Sequence, residues 1–128
     1  MTDRTKLTSF CPIFPVADLR ASLEHYETLG FRVAPYANGD DYGFAERDGV
    51  DLHLTYRPTS YYPDGGISVA YLVVDDASNL FAEWTRPGIG GTTDAPADMP
   101  WGMHEGIHAD PDGNIIRFGS QIPLPSAP

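Results

Sequence analysis

His104-Glu105-Gly106-Ile107-His108 matches the zinc-protease pattern H-E-x-x-H, in which two histidines bind the ion and the glutamate acts as base. That chemistry needs a helix, where residues four apart share a face. Here Pro100 and Gly102 precede the stretch, Gly106 interrupts it and Asp110-Pro111 closes it, so a strand is predicted. On a strand the two histidine backbones stand ~13 Å apart at ~3.3 Å per residue, too far for both rings to reach one zinc. Asp110-Pro111-Asp112-Gly113-Asn114 has the look of a calcium loop, but Pro111 and the missing downstream glutamate make it a turn. The single cysteine, Cys11, is expected in an apolar strand without a basic neighbour, as a small buried residue with a protonated, unreactive thiol. His25 occupies a polar position of a predicted helix and is expected to be solvated. There is no glycine-rich phosphate loop and no local arrangement of Ser, His and Asp that marks a nucleophile.

Two similar series of elements carry these residues. Asp18 can cap a helix running to Gly30, with Leu19, Leu23, Tyr26 and Leu29 on its apolar face, after a strand holding Ile13, Phe14 and Val16. The apolar run Val69 to Val74 leads to a cap at Asp76 and a helix with Leu80, Phe81 and Trp84, ended by Pro87-Gly88. Each helix is followed by short strands and a turn into a closing strand: Arg47-Asp48-Gly49 before Val50 to Leu54, and Asp110 to Gly113 before Asn114 to Phe118. The caps are 58 residues apart and the turn glycines 64, a diverged duplication with a period of about 60. The predicted fold is α+β: two tandem β-α-β-β-β modules whose mixed sheets curl around a shared interior and form a cleft. All 128 residues make one domain, with module one at about 7–57, a linker at 58–66, module two at about 67–120 and an extended, mobile tail at 121–128.

Eighteen Asp and Glu against eight Lys and Arg give a net charge of −10, which disfavours nucleic acid as a partner and leaves open a cationic ligand. No apolar run approaches the ~18 residues of a membrane span, and Met1 to Lys6 lacks the apolar stretch of a secretory signal. With one cysteine and no disulfide, a cytoplasmic location is expected. Aromatic side chains make up 12% of the chain, and Tyr36, Tyr42, Phe44, Tyr56, Tyr61, Tyr62 and Trp101 fall outside the helix faces. Pro100 and Gly102 place Trp101 in a loop where its ring can be presented rather than buried.

The paired modules, the Val-x-Asp helix starts and Asp-Pro-Asp-Gly-Asn resemble the vicinal oxygen chelate superfamily of glyoxalases, extradiol dioxygenases and bleomycin-resistance proteins. Among these the chain is most similar to the drug-sequestering resistance proteins, from about Lys6 to Phe118. Shared with them are Lys6-Leu7-Thr8-Ser9 followed by Pro12, Leu29-Gly30-Phe31, Pro63-Asp64, Ala82-Glu83-Trp84, Pro100-Trp101-Gly102 and Asp110-Pro111-x-Gly113-Asn114.

Enzymes of the superfamily hold a divalent ion with residues from the first and last strand of each module. The resemblance puts Cys11, His53, Val69 and Arg117 at those places. Val69 offers no donor atom and Arg117 is a cation, so too few ligands survive and no metal, no cofactor and no catalytic residue is expected. His53 becomes a polar residue lining the cleft, or a hydrogen-bonded core histidine. In the resistance proteins a Trp matching Trp101 and an aromatic matching Tyr42, from different protomers of a dimer, sandwich the flat rings of the drug. The resemblance further implies Thr55 as a small hydroxyl lining the cleft, and Gly102 and Gly113 as space for the ligand; Tyr36, one of the aromatics outside the helix faces, is a further candidate for ligand binding. It also implies a homodimer with two equivalent clefts, Pro12 lying near an arm exchanged between subunits. The function it implies is sequestration of a flat, cationic antibiotic of the bleomycin type, with Asp40, Asp41 and Glu46 favouring the positive tail. Two other readings stay open: a metal-dependent lyase or dioxygenase recruiting His104 or His108, and a binder of another aromatic metabolite selected by Tyr61 and Tyr62.

Overall fold

The computed structural model describes residues 3–61 and 64–123. Tyr62, Pro63, the first two residues and residues 124–128 lie outside them, and with them most of the expected tail and one of the two linker tyrosines.

Module one comprises β1 (Ile13–Val16), α1 (Leu19–Thr28), β2 (Arg32–Pro35), β3 (Tyr42–Arg47) and β4 (Val50–Tyr56). Module two repeats the order as β5 (Val69–Val73), α2 (Ala77–Trp84), β6 (Thr92–Asp98), β7 (Met103–Ala109) and β8 (Ile115–Gln121). Each module is one four-stranded mixed sheet, ordered β1-β4-β3-β2 and β5-β8-β7-β6, with the first strand parallel to the last and the other pairs antiparallel. Both helices start where a carboxylate can satisfy free amides: Asp18 accepts from Ala21 N at 3.1 Å and Asp76 from Asn79 N at 2.9 Å. Gly30, at φ 95°, ends the first helix segment in the left-handed region.

Leu19, Leu23, Tyr26 and Leu29 are buried as the helical spacing requires, and they join Leu80, Trp84, Ile116 and Phe118 in one continuous core. The modules therefore share an interior through their helix-bearing sides. The sheets lie on either side of it without curling into a common cleft, and each turns its opposite face outward. The side chains confirm this arrangement: a Cβ at Gly43 would meet Leu19 and Leu23 of α1, which puts its neighbours Tyr42 and Phe44 on the outer face. In the second sheet Phe118 packs on Trp84 of α2, so Arg117 and Gly119 face out.

Asp-Pro-Asp-Gly-Asn is a turn, and it also joins the two modules. Asp110 Oδ1 accepts from the amides of Asp112 and Asn114, and its Oδ2 from Tyr26 Oη of α1 at 2.8 Å. Asn114 Nδ2 donates to Pro15 O of β1, and its Oδ1 accepts from Ser68 N. Gly113 has φ 88°, which the turn itself requires.

Two expectations need correction. Cys11 is not in a strand: it precedes β1 as half-buried coil, although burial does push its thiol up and keeps it protonated. Arg57–Thr59 forms a 3-10 turn on leaving β4, and β8 runs to Gln121, with Ile122 N donating to Gly102 O. His25 is not solvated. It is buried, its Nε2 lies 2.9 Å from Nε2 of His108, and the two rings stack at 5.1 Å.

Candidate functional site

The outer faces of the two sheets carry the aromatic residues. On the first, β3 and β4 pair Tyr42 with Thr55 and Phe44 with His53. Tyr42 Oη lies 2.8 Å from His53 Nδ1, and the rings of Tyr42, Phe44 and His53 meet edge to face at 5.0–5.7 Å. Burial, with a smaller contribution from Cys11, pushes the Tyr42 hydroxyl up, so it stays protonated as a donor. Tyr36 joins the cluster through Phe44 at 6.3 Å. Its loop is held by Arg20 of α1, whose Nη2 donates to Asn38 O and Gly39 O while Nε pairs with Asp40 at 3.0 Å. The clamp matters because Ala37 and Asn38 both have positive φ, a conformation costly for side chains with a Cβ.

On the outer face of the second sheet, period-two alternation and register bring Tyr71, Arg117 and Glu105 side by side, with Trp101 over them from the turn before β7. Glu105 is 2% exposed. Its Oε1 accepts from Tyr71 Oη at 2.8 Å and Trp101 Nε1 at 3.1 Å, and its Oε2 from Arg117 Nε at 3.0 Å and from Nη2. Burial pushes the Glu105 carboxyl up, but bonds from Arg117, Tyr71 and Trp101 outweigh it and leave the carboxyl below its ordinary range. The Arg117 guanidinium lies 5.8 Å from the Tyr71 ring centre and 5.9 Å from that of Trp101. The Trp101 ring is 60% exposed, yet its edge is pinned to a buried anion.

The expected site residues thus fall into three places. Tyr36, Tyr42, His53 and Thr55 come together on the first sheet. Trp101 and Gly102 stand on the second, and Gly113 in the turn that joins the modules. Gly102, at φ 88°, is a turn residue with open space around it. A cavity of about 540 Å³ opens between the modules beside the edge strands β1 and β5, lined by Cys11, Phe31, Asp51, Val69 and Tyr71 among others. None of the expected ligand residues lines it, although the rings of Phe10, Phe31 and Tyr71 do. The expected aromatic residues stand on the two outer faces, which are therefore the candidates for their ring recognition.

Nor do the four metal positions suit an ion. Val69 is 61% exposed on the outer face with no donor, and Arg117 is held by Glu105. His104 faces the helix side, bonded to Ser78 and Asp98, and His108 lies buried on that same side, so neither reaches Arg117 or Val69. Among the described residues no three His, Cys, Asp or Glu side chains are grouped to hold a metal. Of the carboxylates expected to favour a cation, Asp40 is paired with Arg20 and Glu46 with Arg32.

A family model described as "Glyoxalase/Bleomycin resistance protein/Dioxygenase superfamily" matches residues 8–118. The chain belongs to that superfamily. Its members include enzymes as well as drug-binding proteins, so membership fixes the scaffold and leaves the activity to the site. Among solved structures, the bleomycin resistance determinant encoded on transposon Tn5 aligns with TM-score 0.75 and 23% identity over 92% of this chain and 100% of its own. The bleomycin-binding protein of Streptomyces verticillus, complexed with copper(II)-bleomycin, aligns with TM-score 0.74 and 22% identity over 91% and 98%. A superfamily member from Sphaerobacter thermophilus gives 0.74 and 21% over 91% and 98%. No curated protein matches the chain. At these identities the structures establish the superfamily's bleomycin-resistance fold. No helix of the described residues is long and apolar enough to cross a membrane.

Sequence reasoning missed Phe44 as a partner of Tyr42, the Glu105 hub with Tyr71, and the His25–His108 pair. Alternation along β7 already puts Glu105 opposite in face to His104 and His108. Its pairing with Arg117 depends on the register of β7 against β8, which no local signal gives.

Proposed function

We propose that the protein binds and sequesters, without transforming it, a flat antibiotic of the bleomycin type. The observation that carries this reading is Trp101: a largely exposed indole held by a buried carboxylate, which leaves the ring face away from Arg117 free to stack. The Tyr42–Phe44–His53 cluster provides a second aromatic wall on the other sheet. The two walls face outward from one chain, so a sandwich needs a homodimer in which sheet one of one copy covers sheet two of the other. That pairing also covers Val69, Val73, Ile107 and Phe44, which are exposed in the single chain. The exposed Leu7 and Phe10 of the N-terminal arm fit an exchange across the same interface. Binding is metal-independent on the protein's side, because Val69 and Arg117 stand where ligands to an ion would. Cytoplasmic residence fits a protein that intercepts a drug before it reaches DNA.

Calorimetric titration with metal-free and copper-loaded bleomycin tests the proposal. Binding at about micromolar or tighter is expected, with two sites per dimer and about tenfold or greater weakening in Trp101→Ala. Pretreating the protein with a chelator is expected to leave the affinity unchanged. Absence of binding, or an unaffected Trp101→Ala variant, rejects it.

A further inference from the structure

We propose that Arg117 sets the ligand's polarity: its guanidinium receives an acceptor oxygen, of a carboxamide or a carboxylate, carried on the rim of the aromatic ring that stacks on Trp101. The inference rests on the stacking role proposed for Trp101 and adds the chemical class of the group beside the ring.

Three features of the second sheet's outer face lead there. Glu105 accepts four hydrogen bonds, from Tyr71, Trp101 and twice from Arg117, which fills the ~4 acceptor directions of a carboxylate. It has nothing left for a ligand, and its role is positioning. Arg117 gives Glu105 one N–H from Nε and one from Nη2, so of the five donors of a guanidinium the described contacts leave three, including both on Nη1. Its side chain is 39% exposed and lies between the Tyr71 and Trp101 rings, whose low polarity strengthens a charge-assisted bond formed there. Finally, the indole N–H of Trp101 is already donated, so a ligand meets only the ring face away from Arg117 and the apolar edges. A planar ring on Trp101 therefore has the free edge of Arg117 as its polar neighbour, and that edge offers donors only.

A cationic substituent at this place meets the free N–H groups of Arg117, while the acceptor directions of Glu105 are already filled. The overall charge of −10 does not reverse this, since it is spread over the surface and screened beyond ~8–10 Å, whereas Arg117 touches the ring site. Any positive group of the ligand is directed to the far end, toward the first sheet, where Asp41 is the exposed member of the acidic group that Arg20 and Arg32 do not engage.

The test uses three matched arenes, 2-naphthoate, 2-naphthamide and 2-naphthylmethylammonium, titrated into the full chain at neutral pH. Binding is read from the NMR resonances of the Trp101 indole N–H and the Arg117 Nε–H. The carboxylate is expected to bind about tenfold or more tighter than the ammonium, with the amide between them, and to move both resonances together. In the doubly neutral Arg117→Gln/Glu105→Gln variant, checked for folding by its dispersed spectrum, the ratio is expected to fall to about twofold or less. If that variant does not fold, Arg117→Lys serves: its ammonium can stay on Glu105 but presents no fork, and the ratio is expected to drop likewise. An ammonium that binds as well as the carboxylate, or a preference that survives these substitutions, overturns the proposal. If all three arenes shift Trp101 equally, the stacking reading stands and the role of Arg117 falls. If none does, both fall.

Discussion

The buried histidine pair gives the fold a measurable sensitivity to acid. His108 is 0% exposed, with Nδ1 2.7 Å from Thr93 Oγ1 and Nε2 2.9 Å from His25, and its ring contacts Trp84 at 5.2 Å. Burial, and then the neighbouring His25, pull its pKa down from 6.5 to about 4. Burial also lowers His25, against the opposing pull of Asp110 and Asp112. A histidine whose pKa is depressed on folding is neutral in the native state while the unfolded chain takes up a proton. Its stabilising effect is complete above pH 6.5 and is lost progressively as pH falls toward 4. At ~1.4 kcal/mol per pH unit, His108 alone removes about 3 kcal/mol across that window, a large fraction of the ~5–15 kcal/mol typical of a domain. The carboxylate with a depressed pKa, Glu105, acts lower: its contribution is present above 4.5 and declines only below it, so the two effects separate on the pH axis. Urea unfolding followed by circular dichroism between pH 7.5 and 4.5 measures the slope, with His108→Gln as the control, an amide able to bond both Thr93 and His25 without titrating. The variant is expected to be less stable at pH 7.5, for loss of the ring packing on Trp84, yet to lose about 2–3 kcal/mol less on acidification to pH 4.5. Parallel slopes for the two proteins would refute the assignment of the pair as buried and neutral.

Gly106 sits where a Cβ would come within 2.5 Å of Phe118 Cζ and 2.9 Å of Asp94 O, so Gly106→Ala is expected to cost about 1–3 kcal/mol in urea unfolding. An unchanged midpoint would mean that β6, β7 and β8 are packed less tightly than described. Arg20→Ala removes the bonds to Asn38, Gly39 and Asp40 that hold the Tyr36 loop. It is expected to weaken bleomycin binding about threefold while changing stability by less than ~1 kcal/mol, because the pair is exposed, and an unaltered affinity would remove Tyr36 from the site.

The architecture was legible in the sequence wherever the deciding forces are local. Asp18, Asp76, Gly30 and the Pro100-to-Asp110 punctuation act within a few residues, and the two modules, both helices and the strand character of His104 to His108 followed from them. What depends on one element lying against another was not. His25 falls outside the Leu19–Leu23–Tyr26 stripe, and a single stripe is all that a helix covered on one side would bury. α1 is covered on two sides, by its own sheet and by the end of β7 with the turn that follows it, which widens the buried arc to include His25. The site divides in the same way. Tyr42 and Trp101 could be picked out one at a time, as presented rings, but Glu105 was read only as part of a discarded zinc motif. Its partners Tyr71 and Arg117 stand 34 and 12 residues away, on strands whose register is fixed only when the sheet forms.

That same pairing bears on the proposal that this chain binds a ligand without transforming it. An ion at the end of the module-two strands would supply fixed positive charge to be met by donor side chains. Here Arg117 supplies the charge itself, on a side chain that cannot be deprotonated, and Glu105 is the anion that makes its presence beside two aromatic rings tolerable. The geometry differs from an ion's in one respect that matters for function. A metal offers open coordination positions, whereas a guanidinium offers N–H donors in a plane, which orient an acceptor oxygen. On the proposed reading, Trp101 and Arg117, fixed by one buried carboxylate, would hold a flat ligand in one orientation, and selectivity for the group on the ring's rim is what would distinguish that surface from a bare stacking platform.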